Sequence, residues 1–221
     1  GRRGKYLLVG LDDGQELVVH PGMTGMLRIA NDDASEAPDP YVRAAWQLDD
    51  GVLEYRDVRR FGRIAVVPKG EYASMPTLAA QGPEPFDDAF APDPFWRALR
   101  ASSVHVKTQL LSQRPVAGVG NIYADEALWL AGVHPAARKV TRPQAARLHD
   151  AIRQVLAQGI DNGGTTLRDY RDFTGGSGEN QHALSCYGRD DQPCLRCATP
   201  LRRTVIGARG TTYCPGCQRL R

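Results

Sequence analysis

The sequence predicts an α+β protein laid out in consecutive parts, and three observations carry that expectation. Short apolar runs separated by turn residues fill the first third, a helical periodicity replaces them after residue 93, and two Cys-x-x-Cys pairs close the chain. Strands first and helices later indicate α+β organisation rather than alternating βαβ units. From Lys5 to Val67, the runs KYLLVGL, ELVVH and RIAVV are divided by Asp-Gly, Asp-Asp-Gly and Gly-rich turns. Such turns admit the positive φ of tight hairpins, so the runs are expected to be antiparallel strands, too few for a comfortable closed sandwich. Residues 70–93 are rich in Pro, Ala and acids without periodicity and read as a connector.

Helical signals follow. Asp93-Pro94 suits an N-cap with proline at the first helical position, and Leu148, Ile152, Val155, Leu156 and Ile160 fall on one apolar face. Asn162-Gly163-Gly164 ends that helix, and a loop at 174–182 leads to the cysteine region.

The 221 residues suffice for one large domain or two small ones, so the cysteines need not substitute for a core. There is no apolar run of membrane-spanning length and no charged-then-apolar leader, which leads to the expectation of a soluble, cytoplasmic protein. The chain opens with Gly1 rather than Met, so its first residue need not be the natural start. A net charge of +3 permits a polyanionic partner without requiring one. The basic residues cluster, however: Arg2, Arg3 and Lys5 open the chain, Arg56, Arg59, Arg60 and Arg63 lie close together, and Arg202, Arg203, Arg209, Arg219 and Arg221 crowd the end. Acids concentrate in 31–39 and 84–93, which read as loop or linker, so one basic face is expected.

Three constellations carry chemistry. Cys194, Cys197, Cys214 and Cys217 form two pairs with sixteen residues between them, enough for a hairpin that returns the second pair to the first. Four thiolates so arranged suit one tetrahedral structural zinc. Gly207 and Gly210 lie around the hairpin turn and Arg209 near its tip, while Cys186 fits neither pair and is expected to be a small buried residue. In PVAGVGNIYADEAL, a Gly-x-Gly-Asn turn runs into a helix, where backbone N–H groups can meet a phosphate; Glu126 on that helix is either solvated or holds the turn from within. In HPGMTGM and DVRRFG, Met23 and Phe61 sit on loop tips beside arginines. Such residues are commonly core, but proteins that open a duplex insert apolar wedges and Arg in the same manner.

Taken in order, RRGKYLL, HPGMTG, RRFG, GPEP, the run from Lys107 through GVGNIYADEAL, GGTTL, YGR and the four cysteines resemble the formamidopyrimidine-DNA glycosylases over the whole chain. These are bacterial repair enzymes that remove oxidised purines. The resemblance implies the C-terminal part of a β-sandwich domain at 1–70, a linker at 71–92, a helix-two-turn-helix domain at 93–185 and a zinc ribbon at 186–221. It implies a glycosylase with abasic-site lyase activity that excises 8-oxoguanine and formamidopyrimidines through a Schiff base and β,δ-elimination. The implied partner is double-stranded DNA with oxidised bases or abasic sites, bound by a monomer with one structural zinc and no membrane association.

Residue by residue, Lys5 matches the lysine that assists elimination, and Met23, Arg59 and Phe61 match the side chains filling the void left by a flipped nucleotide. Asn121 and Arg209 match the pair gripping the flanking phosphates, with Arg209 also the family's proton donor in the last elimination. Lys107 matches a phosphate contact, and Glu126 a buried acid of the helical core. Tyr41-Val42-Arg43 departs from the His-Asp-His that the family often has there, with Tyr41 at the position of a DNA contact, and Gly178-Glu179-Asn180 stands where a Gly-Tyr-Phe commonly closes over the extruded base. The family's nucleophile is an N-terminal proline followed by a glutamate, within an opening segment that this chain is expected to lack. A fragment inactive alone is expected from that, with a first domain unstable by itself. A non-catalytic, zinc-dependent damaged-DNA-binding protein and a general nucleic-acid module are the alternatives.

Overall fold

Seven strands form: β1 (Arg2–Arg3), β2 (Tyr6–Gly10), β3 (Gln15–His20), β4 (Gly25–Ala30), β5 (Val42–Leu48), β6 (Gly51–Asp57) and β7 (Arg63–Pro68); β2, β3 and β7 fall on the runs KYLLVGL, ELVVH and RIAVV, and β1 precedes the expected start at Lys5. The computed structural model describes residues 1–30, 39–168, 170–171 and 175–220; most of the acidic stretch at 31–39, and Arg221, lie outside them. All pairings are antiparallel, in one sheet of order β1-β2-β3-β7 and another of order β4-β6-β5. The period of two along β3 puts Leu17 and Val19 on one face, where they meet Leu27 of β4 and Tyr55 of β6, with Leu7, Trp46, Leu53 and Ile64 packed against them. The two sheets therefore share one apolar layer, each buried aliphatic side chain contributing roughly 1.5–3 kcal/mol. The register Val19↔Ile64 and Leu27↔Tyr55 brings the chain reversals after β3 and after β6 out of this layer as loops.

The chain divides into two compact units, Gly1–Ser74 with Asp161–His182, and Met75–Ile160 with Ala183–Arg221. In the first, residues 161–182 are tied internally: the Glu179 N–H donates to the Asn162 carbonyl and the Asn180 N–H to that of Gly164. Gly163 and Gly164 take φ of +65° and +96°, the left-handed conformations that stop a helix where Asn-Gly-Gly predicted a stop.

The second unit holds α1 (Pro76–Ala79), α2 (Pro92–Arg100), α3 (Val106–Leu111), α4 (Asn121–Ala131), α5 (Arg142–Asp161) and the hairpin β8 (Arg202–Ile206) and β9 (Arg209–Tyr213). The stretch read as a connector is packed rather than free, since Met75, Leu78 and Phe90 are buried. Helix α2 begins earlier than Asp93-Pro94 suggested: Ala91 is the N-cap and Pro92 the first helical residue, while the Asp93 carboxylate pairs with Arg142 at 2.9 Å. Proline's preset φ serves at either place, and an acid just inside the first turn also suits the helix dipole. On α5, Leu148 and Ile152 are fully buried and Val155 and Leu156 pack on the core, but Ile160 is 67% exposed, because by that turn the helix has run past the cluster. Helix α4 is buried on nearly every side, from Ala124 to Trp129, and so forms the axis of this unit. Cys186, also fully buried, behaves as the small apolar residue expected.

Candidate nucleic-acid interface

The four paired cysteines converge as their spacing requires. All four sulfurs lie within 4.8 Å of one another, with Cys197–Cys214 at 3.5 Å and Cys194–Cys217 at 4.0 Å. Tetrahedral bonds of roughly 2.3 Å place sulfurs about 3.8 Å apart, so this donor set fits one zinc ion. Burial disfavours the charged form of Cys194, but the N–H groups of Arg196 and Cys197 and the Trp129 indole outweigh it and bring the thiol down to about 6. The indole of Trp129 donates to that sulfur at 3.3 Å, and Trp129, Cys186 and Leu201 pack around Cys194 and Cys214, seating the cysteine cluster on α4.

From this base, β8 and β9 rise to a two-residue turn, Gly207-Ala208, with both φ values positive at +56° and +60°. That is the type I′ turn, whose twist matches a hairpin. Arg209 follows at once and is exposed. The next three residues are held from below: the Lys107 ammonium donates to the Gly210 carbonyl at 2.9 Å and to Thr211 Oγ1 at 2.8 Å, and the Thr212 N–H donates to Asp125 Oδ2 at 3.0 Å. Lys107 also forms an ion pair with Asp125 Oδ1 at 2.6 Å. This corrects the expected role of Lys107. At 0% exposure, with two hydrogen bonds and an ion pair inside the protein, it is an internal cation beneath the hairpin rather than a phosphate contact. Burial pulls the Lys107 amine down and pushes the Asp125 carboxyl up, to about 6, against the attraction between them.

Asn121 is the first residue of α4, after Gly118 at φ +84° and with Gly120 as N-cap. Its Nδ2 donates to the Gly210 carbonyl at 3.1 Å, so Asn121, distant in sequence, is fastened to the residue of β9 that follows Arg209. The Asn121 Oδ1 is buried without a partner, leaving that amide with unused capacity beside the helix N-terminus. The turn is braced from both sides: Gln113 Oε1 accepts from the Gly118 N–H, Gln113 Nε2 donates to the Val119 carbonyl, and the Ala117 N–H donates to the Pro83 carbonyl. Gly82, at the head of GPEP, packs so closely on Arg114 that a Cβ would overlap its carbonyl. Glu126 is buried, as the resemblance implied, and not solvated. Its carboxylate holds a different turn from the GVGN one, accepting from the N–H groups of Ser185, Cys186 and Tyr187 at 2.8, 2.8 and 2.7 Å.

In the other unit, Met23 and Phe61 are 56% and 53% exposed, so neither is core. The Arg59 guanidinium lies 4.7 Å over the Phe61 ring, and its NH1 is 3.8 Å from the Met23 sulfur. The three side chains thus form one exposed cluster with an apolar flank and a cation. Beneath it, Asp57 is 1% exposed and accepts from Thr24 Oγ1 at 2.5 Å, from the Gly62 N–H at 2.8 Å and from the Arg59 N–H at 3.3 Å. Burial pushes its carboxyl up, but Thr24 and the amides of Gly62, Arg59 and Arg60 outweigh that and hold it below the usual range.

Lys5 is exposed in the β1–β2 turn after Gly4 at φ +54°, and its charge helps burial lower the His20 imidazole, at the root of the Met23 loop. Tyr41 is exposed, with Arg56 and Arg43 at 5.0 and 5.9 Å over its ring. Sequence reading missed Asp57, Thr24 and Asp125 as parts of these sites. Asp57 and Thr24 lie inside the quoted motifs, so the signal was an acid and a hydroxyl flanking exposed loop tips.

Three family models match the chain: the formamidopyrimidine-DNA glycosylase N-terminal domain at residues 1–64, the formamidopyrimidine-DNA glycosylase H2TH domain at 81–171, and the zinc finger found in FPG and IleRS at 191–220. The formamidopyrimidine-DNA glycosylase of Deinococcus radiodurans is 47% identical over 234 residues, a match covering 100% of this chain and 81% of that protein. The crystal structure of the MutM (Fpg) protein from Thermus thermophilus matches with a TM-score of 0.90 at 45% identity, covering 100% of this chain and 82% of that one. A complex between Lactococcus lactis Fpg and abasic-site DNA matches with a TM-score of 0.89 at 35% identity, covering 99% and 80%. The expectation that the family's N-terminal segment is lacking is not borne out, because residues 1–64 match the N-terminal domain model, and inactivity on that ground is unsupported. Among the described residues no helix is long and apolar enough to cross a membrane. With its sandwiched sheets, its zinc-ready ribbon and a match along its whole length, this chain belongs to the formamidopyrimidine-DNA glycosylase family.

Proposed function

We propose that this protein is a base-excision repair DNA glycosylase with abasic-site lyase activity, acting on oxidised purines in double-stranded DNA. The observation that carries the reading is the exposed Met23–Arg59–Phe61 cluster, three side chains with no role in their own core. In use, an apolar edge enters the base stack and the guanidinium occupies the place of a displaced base. Asn121, the N-terminus of α4 and Arg209 supply donors and positive charge for phosphates beside the lesion, an arrangement that positions the duplex without reading sequence. Tyr41, stacked under two arginines, adds a DNA contact on the strand unit.

The damaged base is displaced by an amine through a Schiff base, and elimination then cuts the strand. Lys5 assists elimination and Arg209 donates the last proton. Zinc supplies no chemistry to this step when bound; its thiolates hold the hairpin that carries Arg209. We place the reaction in the bacterial cytoplasm, at the chromosome.

Borohydride trapping tests this. The protein is mixed with a duplex containing one 8-oxoguanine and reduced; a covalent protein–DNA band supports the reading. No band with either 8-oxoguanine or a preformed abasic site, in a preparation that binds both duplexes, would favour the non-catalytic damage-binding alternative.

A further inference from the structure

The exposed Met23–Arg59–Phe61 cluster is assembled from two loops far apart in sequence, and both are fastened to one buried carboxylate. Asp57 Oδ1 accepts from the Thr24 hydroxyl of the Met23 loop and from the Arg59 N–H, while Oδ2 accepts from the Gly62 N–H and, at 3.5 Å, from the Tyr55 hydroxyl. Thr24 Oγ1 in turn accepts from the Arg59 N–H at 3.1 Å, closing a ring of hydrogen bonds across the loops. The backbones are in contact as well: a Cβ on Gly22, itself at φ +68°, would lie 2.8 Å from Gly62 N and Phe61 C. At Gly62 a Cβ would overlap the Tyr55 hydroxyl, whose one proton is shared between Asp57 Oδ2 and the Pro21 carbonyl, 3.4 Å away. Arg43 donates to the Asp57 carbonyl at 2.9 Å and holds the strand end from β5.

We propose that Asp57 is the positioning residue that makes the Met23 loop and the Arg59–Phe61 loop one preassembled wedge. The inference rests on the reading of those three side chains as void fillers. An ionised carboxylate is an acceptor at every lone pair, which is what a site with four converging donors demands; an amide of the same shape would turn one oxygen into a donor aimed at other donors. The stacking of Arg59 on Phe61 and its approach to Met23 are therefore fixed before DNA arrives. Inserting a wedge already in register avoids ordering two loops at the moment a base leaves the stack. Asp57 touches no substrate and acts through the backbones of Arg59 and Gly62 and through Thr24.

The test separates base extrusion from the later chemistry. Wild type, Asp57→Asn, Thr24→Val and Thr24→Ser are compared on a duplex with 8-oxoguanine beside 2-aminopurine, whose fluorescence reports unstacking, and on a duplex with a preformed abasic site, where no base need be extruded. Asp57→Asn is expected to lower the unstacking rate and 8-oxoguanine excision by roughly tenfold or more, the factor lost with one hydrogen bond to a charged group. Abasic-site cleavage should fall by much less, Thr24→Val should follow Asp57→Asn in direction, and Thr24→Ser should recover wild-type unstacking.

Equal losses on both duplexes, or wild-type unstacking in Asp57→Asn, would overturn the inference while leaving the proposed function standing. Failure of the wild type itself to unstack the duplex would overturn the wedge reading and this inference with it. Should Asp57→Asn not fold, the Thr24→Val and Thr24→Ser pair decides by the same readouts.

Discussion

Two exposed groups of side chains in this protein are held in place by different physics. The ribbon tip with Arg209 and Asn121 stands on a metal-ready cysteine cluster and a fully buried Lys107–Asp125 pair, while Met23, Arg59 and Phe61 stand on short loops tied by one carboxylate and closely opposed glycines. A ribbon of about thirty residues has little core of its own, so it borrows order from a metal and from charges hidden beneath it. The wedge loops instead extend from strands whose register the shared apolar layer already sets, and they need only local hydrogen bonds. Under the proposed function, a residue that reaches a phosphate can thus sit on a small stapled element, whereas residues that enter a base stack are mounted on the larger sheet.

Removing the metal should break this comparison most sharply. Cys214→Ser is expected to abolish zinc binding, worth ~10–16 kcal/mol in small zinc-folded peptides. Hydrogen exchange should then show β8 and β9 unprotected while β3 and β6 keep their protection; loss in both would mean the two supports are not independent. Next in size is Lys107→Met, which strands the Asp125 carboxylate in the interior and should cost about 3–5 kcal/mol in denaturant unfolding. Lys107→Met with Asp125→Leu should regain part of that, and a double variant no better than the single would show the pair is not the source of the loss.

Acid sharpens the contrast further. The Asp57 carboxyl lies below its ordinary range, so the native state binds fewer protons than the unfolded one there. Its stabilisation is complete above the usual carboxylate value and is lost as pH falls through the lowered one. Urea midpoints followed from neutral pH down to the acid limb should therefore fall for the strand unit in wild type and less in Asp57→Asn. The smallest effect on stability is expected for Phe61→Ala: with half its surface exposed, the change should stay within ~0.5 kcal/mol, while unstacking of an 8-oxoguanine duplex is lost. A large stability loss would return Phe61 to the core reading.

Much of this was legible in the sequence where the signal was local. The cysteine spacing, the Gly-rich entry to α4 and the Asp-Gly turns between strands each specify their own geometry within a few residues, and the structure shows each in place. Exposure was not legible. Met23 and Phe61 have core-like side chains, and only the loops between β3 and β4 and between β6 and β7 expose them. Lys107 has a surface-like side chain, and only its meeting with Asp125, eighteen positions along, hides it. Ile160 fails in the same way: helical periodicity gives the face of a residue but not how far the neighbouring core extends.

The Trp129 indole, set 3.3 Å from the Cys194 sulfur with the Arg196 guanidinium 4.2 Å from its ring centroid, makes the ribbon optically readable. A thiolate and a cation pressed on one fluorophore quench and tune its emission, and a metal that claims the sulfur's electrons alters both. With Trp46 and Trp96 replaced by Phe, the remaining emission would follow metal loading in real time, giving the protein an intrinsic gauge for exchange with chelators and competing ions.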